Sequence, residues 1–183
     1  MDDFFHRHTI LRPTREYHLQ VFPMIAILDN IRSMHNVGSI FRTADAAGIE
    51  KIILCGITPG PLDKYDRPNS RLTKVSLGAE DFVKWEHADS TLDVIDELKK
   101  QDPDYEIYAV ELHADAINYK QLKRFNRKKS ILILGGEVDG LSPEVLSRAT
   151  RILKIPMLGR KESLNVSVAF GIVAYHFVED GEK

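Results

Sequence analysis

Two hydrophobic periods alternate along this chain, and that alternation limits the folds open to it more than any other feature. MIAIL (24–28), KIILCG (51–56), YEIYAVEL (105–112) and SILILGG (130–136) are short apolar runs. Their length and their Ile, Val and Tyr content read as buried strands. SILILGG has the continuous apolar character of a central parallel strand. ILKIPM (152–157) reads as a last short strand. Between these runs the spacing becomes helical. Val37, Ile40, Phe41, Ala44 and Ala47 share one face of a helix beginning at Asn36, and Gly48 stops it. Leu92, Ile95 and Leu98 form the apolar stripe of STLDVIDELKK (90–100). LSPEVLSRA (141–149) carries Ser142 at the N-cap, Pro143 at the first helical position and Glu144 in the first turn. Residues 57–71 read as loop, and 72–87 are ambiguous between a short strand and a half-helix.

Strands that alternate with helices predict an α/β fold, a mainly parallel sheet with helices on both faces. At 183 residues the chain is expected to form one domain, residues 24–183, preceded by an N-terminal arm at 1–23.

The C-terminal stretch SLNVSVAFGIVAYHFV (163–178) contains no Asp, Glu, Lys or Arg. It falls short of the roughly 20 apolar residues a membrane span needs and includes Asn165, Ser167 and His176, so it reads as a buried helix. Ser167, Gly171 and Ala174 form a seam of small residues along it, expected to pack at a dimer interface. The opening MDDFFHRHTI lacks the apolar core of a secretory signal. The single cysteine, Cys55, rules out an internal disulfide and fits a reducing compartment. A cytoplasmic protein with no membrane association is expected.

Chemistry is expected outside the carboxyl ends of the strands. GGEVDG (135–140) follows SILIL, but its G-G-x-x-x-G spacing is not the dinucleotide fingerprint G-x-G-x-x-G. Its glycines either make a tight turn or let backbone approach a ligand. Arg42 leaves its helix on the side away from the apolar stripe; it either pairs with Asp45 or grips a phosphate. No H-E-x-x-H, Cys/His cluster or G-x-S-x-G elbow occurs, so neither a metal site nor serine hydrolase chemistry is expected. A net charge of −2 does not suit a protein that coats nucleic acid without specificity. HRHTILRPTREYH (6–18) and KRFNRKK (123–129) are local basic patches, or simply solvated faces.

Taken in order, NVGSIFRTADAAGI (36–49), ILGGEVDGLS (133–142) and IPMLGRKESLNVSVAFGI (155–172) closely resemble the three motifs of the SpoU (TrmH-like) RNA ribose 2′-O-methyltransferases, within the SPOUT superfamily. The resemblance runs over residues 25–177. It implies a C-terminal deep trefoil knot, S-adenosylmethionine bound in the knotted loops, and a homodimer with composite sites. It further implies methyl transfer to a ribose 2′-hydroxyl of tRNA or rRNA. By the same resemblance Asn36, Arg42, Glu137, Ser163 and Asn165 are the catalytic positions. Gly135, Gly136, Ile155, Met157 and Leu164 lie along the cofactor, and the strand end at Glu111 and Leu112 approaches it. Many relatives add an N-terminal RNA-binding domain that 1–23 is too short to form, so a minimal form of the enzyme is expected. Two rivals remain open: another α/β nucleotide-binding enzyme, and an RNA-binding protein of this fold without catalysis.

Overall fold

The structure, a computed structural model, describes residues 21–123, 125 and 129–179. Seven strands form one sheet in the order β3-β2-β1-β6-β4-β7-β5. They are β1 (Phe22–Asp29), β2 (Ile49–Cys55), β3 (Lys84–Ala88), β4 (Glu106–Val110), β5 (Ile117–Asn118), β6 (Ser130–Gly135) and β7 (Arg151–Lys154). Every pairing between neighbours is parallel.

Successive side chains of a strand point to opposite faces, and this divides the core in two. Met24, Ala26 and Leu28 of β1 join Leu132 and Leu134 of β6 on one face. Ile25 and Ile27 join Ile131 and Ile133 on the other. Both faces are covered, which is why the inner strands read as unbroken apolar runs. The first face is covered by α1 (Met34–Ala47) and α5 (Val166–Glu179), with α2 (Ser70–Ser76) against α1. The second carries α3 (Thr91–Gln101) and α4 (Pro143–Arg148).

The helix ends follow local chemistry. Ser33 caps α1 by accepting the Asn36 N–H, so the helix starts one turn's edge earlier than Asn36, at Met34. Gly48 ends it in the left-handed conformation at φ 68°. Ser142 caps α4 with Pro143 behind it, and Ser90 caps α3.

Other segments differ from expectation. The stretch 57–71 is not all loop, because α2 begins at Ser70. The ambiguous 72–87 resolves into α2, a 3-10 turn at Ala79–Asp81 and strand β3. The two-residue β5 was not anticipated; it pairs with β7 as a short edge. The last strand stops at Lys154 instead of running to Met157, so Ile155 to Met157 leave the sheet as loop. From there the chain crosses the carboxyl ends of the strands and returns on the other face as α5. The trefoil threading implied by the resemblance is consistent with this path.

The patch 6–18 lies outside the described residues, and so does most of 123–129. Within the latter, Lys129 is already engaged, 2.7 Å from Asp102 and 3.0 Å from Asp104.

Candidate active site at the carboxyl ends of β6, β4 and β7

A cavity of about 600 Å³ opens above the carboxyl ends of three adjacent strands. Val110 to Leu112 leave β4 into it, Leu134 to Gly140 leave β6, and Leu153 to Ile155 and Met157 leave β7. The segment 162–166, leading into α5, closes the remaining side. Each residue expected along a cofactor lines it: Glu111, Leu112, Gly135, Gly136, Ile155, Met157 and Leu164. Glu137, Ser163 and Asn165 of the expected catalytic set line it too.

The glycines let the β6 loop fold back on itself. A Cβ on Gly135 would sit 2.5 Å from the Gly140 carbonyl carbon, and one on Gly136 would sit 2.6 Å from the Asn30 carbonyl oxygen. Real side chains do not tolerate such distances, so the glycines of GGEVDG make the tight turn, and the same backbone borders the cavity.

Glu111 lines the cavity and also binds backbone. Its carboxylate accepts the Leu112 N–H at 2.9 Å and the Leu141 N–H at 3.0 Å. It therefore staples the end of β4 to the far side of the 135–141 loop. Both bonds are charge-assisted, the stronger kind.

Asn36 sits just behind the cavity, 7% exposed, at the start of α1. Its Nδ2 donates to Glu137 Oε1 at 2.5 Å, and its Oδ1 accepts from Asn165 Nδ2 at 3.0 Å. Asn165 in turn caps α5, accepting the Ser167 N–H at 2.9 Å and hydroxyl at 2.7 Å. One buried amide thus joins all three motif segments. Ser163 lines the cavity but does not cap the helix.

Arg42 is not part of this assembly. It is exposed on α1 and does not line the cavity of its own chain. Among the described residues no ion pair joins it to Asp45.

A second layer went unnoticed in the sequence. Asn30 adopts the left-handed conformation at φ 55°. Its Nδ2 donates to Asp29 Oδ1 at 3.0 Å, and its Oδ1 accepts the Ile57 N–H at 3.2 Å. Asp29 is buried and also accepts from Thr91 at 2.6 Å. Thr58 bonds Leu28, Cys55 and Ile31. This network fixes the Asn30 carbonyl against which Gly136 rests. An Asn just past the end of a strand, the residue that after glycine best tolerates left-handed backbone, was the available signal.

Part of the small-residue seam on α5 packs within the chain. A Cβ on Gly171 would meet Thr43 of α1 at 3.6 Å, and Ala174 is fully buried. Gly171 thus faces α1 of the same chain, while Ser167 is half-buried. The outward side of α5 carries Val168, 49% exposed, and Tyr175, 40% exposed, with the half-buried Ile172 between them.

Among the described residues no helix is long and apolar enough to cross a membrane, and no group of three His, Cys, Asp or Glu could hold a metal ion.

The cavity has the volume and the mixed wall of glycine backbone, apolar side chains and a few polar groups that suit a nucleoside-sized cofactor. Comparison with known proteins agrees. Residues 23–175 match the family model described as the SpoU rRNA Methylase family. The tRNA (guanosine(18)-2′-O)-methyltransferase of Aquifex aeolicus is 31% identical over 87% of this chain and 71% of its own length. The 23S rRNA (guanosine-2′-O-)-methyltransferase RlmB of Xanthomonas axonopodis is 34% identical over 85% of this chain and 58% of its own. The chain thus spans little more than half of that relative. The crystal structure of an AdoMet-bound rRNA methyltransferase from Sinorhizobium meliloti superposes with a TM-score of 0.74 at 28% identity, covering 91% of this chain and 59% of that one.

Proposed function

The chain belongs to the SpoU rRNA methylase family, and from that premise we propose that it methylates a ribose 2′-hydroxyl of tRNA or rRNA with S-adenosylmethionine. The observation that carries this reading is the junction of Asn36, Glu137 and Asn165 at the edge of a cavity of about 600 Å³. The rival reading as another nucleotide-binding enzyme falls with the family assignment.

S-adenosylmethionine supplies a sulfonium methyl that needs no further activation. Its transfer makes an O–C bond, breaks an S–C bond and releases the hydroxyl proton. The protein's share is orientation, exclusion of water and a place for that proton. Gly135, Gly136, Ile155, Met157 and Leu164 would hold the cofactor, largely through backbone groups, with Leu112 as an apolar wall. Glu111 keeps the β6 loop closed over it. Ser163 and Asn165 would orient the ribose, while Asn36 holds Asn165 and Glu137 in register.

Arg42 would act from the partner copy in a homodimer. Two observations support this: it does not line the cavity of its own chain, and α5 presents Val168, Ile172 and Tyr175 outward. A guanidinium is a poor base at neutral pH. Arg42 would clamp the neighbouring phosphate by charge-assisted bonds, leaving a phosphate oxygen or water to take the proton.

Calorimetric titration with S-adenosylmethionine, followed by labelled methyl transfer to total RNA from cells lacking this gene, tests the reading. One binding site per chain and label mapping to a 2′-oxygen are expected. Absence of cofactor binding would overturn it. Binding without transfer would favour an RNA-binding protein of the same fold.

A further inference from the structure

The loop 57–69 runs from the carboxyl end of β2 to α2 and shapes a feature with no part in methyl transfer as described. Its centre is Asp63. One carboxylate oxygen accepts the backbone N–H groups of Tyr65 at 2.8 Å and Arg67 at 3.1 Å. The other accepts the Arg67 guanidinium through Nε at 2.9 Å and Nη2 at 2.8 Å. Backbone bonds from Asp63 N to the Arg67 oxygen at 2.8 Å and from Asn69 N to the Pro61 oxygen at 2.7 Å close the turn. A bridge between Leu62 and Pro68 reinforces it, and Asp66 takes the left-handed conformation at φ 57°. The Arg67 guanidinium beside Asp63 holds that carboxyl below the usual range, so the turn stays charged and closed at neutral pH.

This rigid turn displays Tyr65, which is 64% exposed and absent from both core clusters. The Arg67 guanidinium lies 4.9 Å from its ring centroid and the Lys64 ammonium 5.0 Å. Closing the turn needs Asp63 and Asn69 but not an aromatic ring. Two further exposed cations follow within one turn of helix. Arg71 and Lys74 lie on α2, which contains no acidic residue. Asp66 is the one acidic side chain of the loop that Arg67 does not engage. α2 packs on α1 at Gly38, where a Cβ would lie 2.7 Å from the Leu72 carbonyl oxygen. The feature therefore adjoins the helix that carries Arg42. At its other end, Ile57 borders a second cavity with Arg32 and Glu137.

We propose that Tyr65 is a stacking platform for an unpaired nucleobase of the substrate RNA, with Lys64, Arg71 and Lys74 taking the adjoining phosphates. This rests on the RNA reading above. An exposed ring with cations over it, one of them a planar guanidinium that can itself stack on a base, suits sequence-tolerant binding of single-stranded nucleic acid, since every base has a π face. It offers nothing to the shape-based recognition of a duplex. The substrate nucleotide would be presented from a single-stranded loop or bulge.

The test compares wild-type protein with Tyr65→Ala and Tyr65→Phe. The probes are a short oligoadenylate and a blunt RNA duplex, with methyl transfer to total RNA alongside. Tyr65→Ala is expected to weaken oligoadenylate binding about tenfold, in line with stacking on an aromatic side chain. Duplex binding should stay within about twofold, and S-adenosylmethionine affinity should not change. Tyr65→Phe keeps the ring and should bind oligoadenylate like wild type. Unchanged oligoadenylate affinity in Tyr65→Ala overturns the platform, and so does a Tyr65→Phe variant as weak as Tyr65→Ala. If Tyr65→Ala fails to fold, Tyr65→Trp decides: equal or tighter oligoadenylate binding supports stacking, and weaker binding overturns it. A wild-type protein that binds cofactor and methylates RNA while Tyr65→Ala binds normally sinks the platform alone. A wild-type protein that binds neither cofactor nor RNA sinks the substrate reading and the platform with it.

Discussion

Asn165 donates its side-chain amide to the Asn36 side-chain oxygen at 3.0 Å, across 129 positions of chain. Asn36 passes the connection to Glu137, 101 positions away, through its own amide. An amide suits this position because it donates on one side and accepts on the other. Asn36→Asp would set a second carboxylate against Glu137 and remove the donor. Leaving such partly buried groups unpaired costs about 1–3 kcal/mol. Methyl transfer is expected to fall at least about tenfold, with a lowered melting temperature. Wild-type turnover in Asn36→Asp, measured by labelled methyl transfer, would show that the junction is not needed.

Gly136 leaves no room for a side chain, since a Cβ would stand 2.6 Å from the Asn30 carbonyl oxygen. Gly136→Ala must push the β6 loop into the cavity or away from Asn30. S-adenosylmethionine affinity should drop about tenfold or more, equivalent to about 1.4 kcal/mol. Gly159→Ala is the control, because nothing lies within 4 Å of a Cβ there. Calorimetry on the pair separates loop geometry from a general effect of losing a glycine.

Glu111 holds two backbone N–H groups with its two carboxylate oxygens. Gln at this position retains only one acceptor oxygen and no charge. Glu111→Gln should speed hydrogen exchange at the Leu141 amide and weaken cofactor binding, while the sheet melts nearly as before. Unchanged exchange at Leu141 would count against the staple.

The outward stripe of α5 is expected to form the dimer contact. Val168→Asp combined with Tyr175→Glu should yield monomers in ultracentrifugation, with the cofactor cavity intact and RNA methylation lost. Gly171→Leu is expected to act differently. Its side chain would press on Thr43 of α1, so it should lower stability within the chain. A stable, fully dimeric Gly171→Leu protein would contradict that placement.

Cys55 is fully buried at the end of β2, and burial pushes its thiol up to about 11. The native protein should resist thiol reagents at mildly alkaline pH and react with one equivalent once unfolded. In the unfolded chain the thiol titrates near 8.5. Above that value the unfolded state loses its proton first, so stability should decline as pH rises from about 8.5 towards 11. Cys55→Ala should flatten that part of the stability curve.

Most of the elements were legible in the sequence because they are local. β1, β2, β4 and β6 show as apolar runs, and Ser142 and Gly48 mark helix ends through bonds spanning three or four residues, with Pro143 preset for the first helical position. The motif residues were legible too, as members of a known pattern. Their arrangement was not. Asn36, Glu137 and Asn165 meet only because β6 inserts between β1 and β4, and because the chain after β7 crosses the strand ends to α5. Strand order leaves no local periodicity. The same limit hid the staple made by Glu111, which a strand-end carboxylate could not announce. It also hid the side of α5 that meets α1, since a uniformly apolar helix does not say which neighbour covers which stripe. What the sequence determined was the main strands and helices and the residues available for chemistry; the tertiary structure decided the short edge β5, the split of 72–87 into α2 and β3, and which residues touch, because these depend on the path of the whole chain.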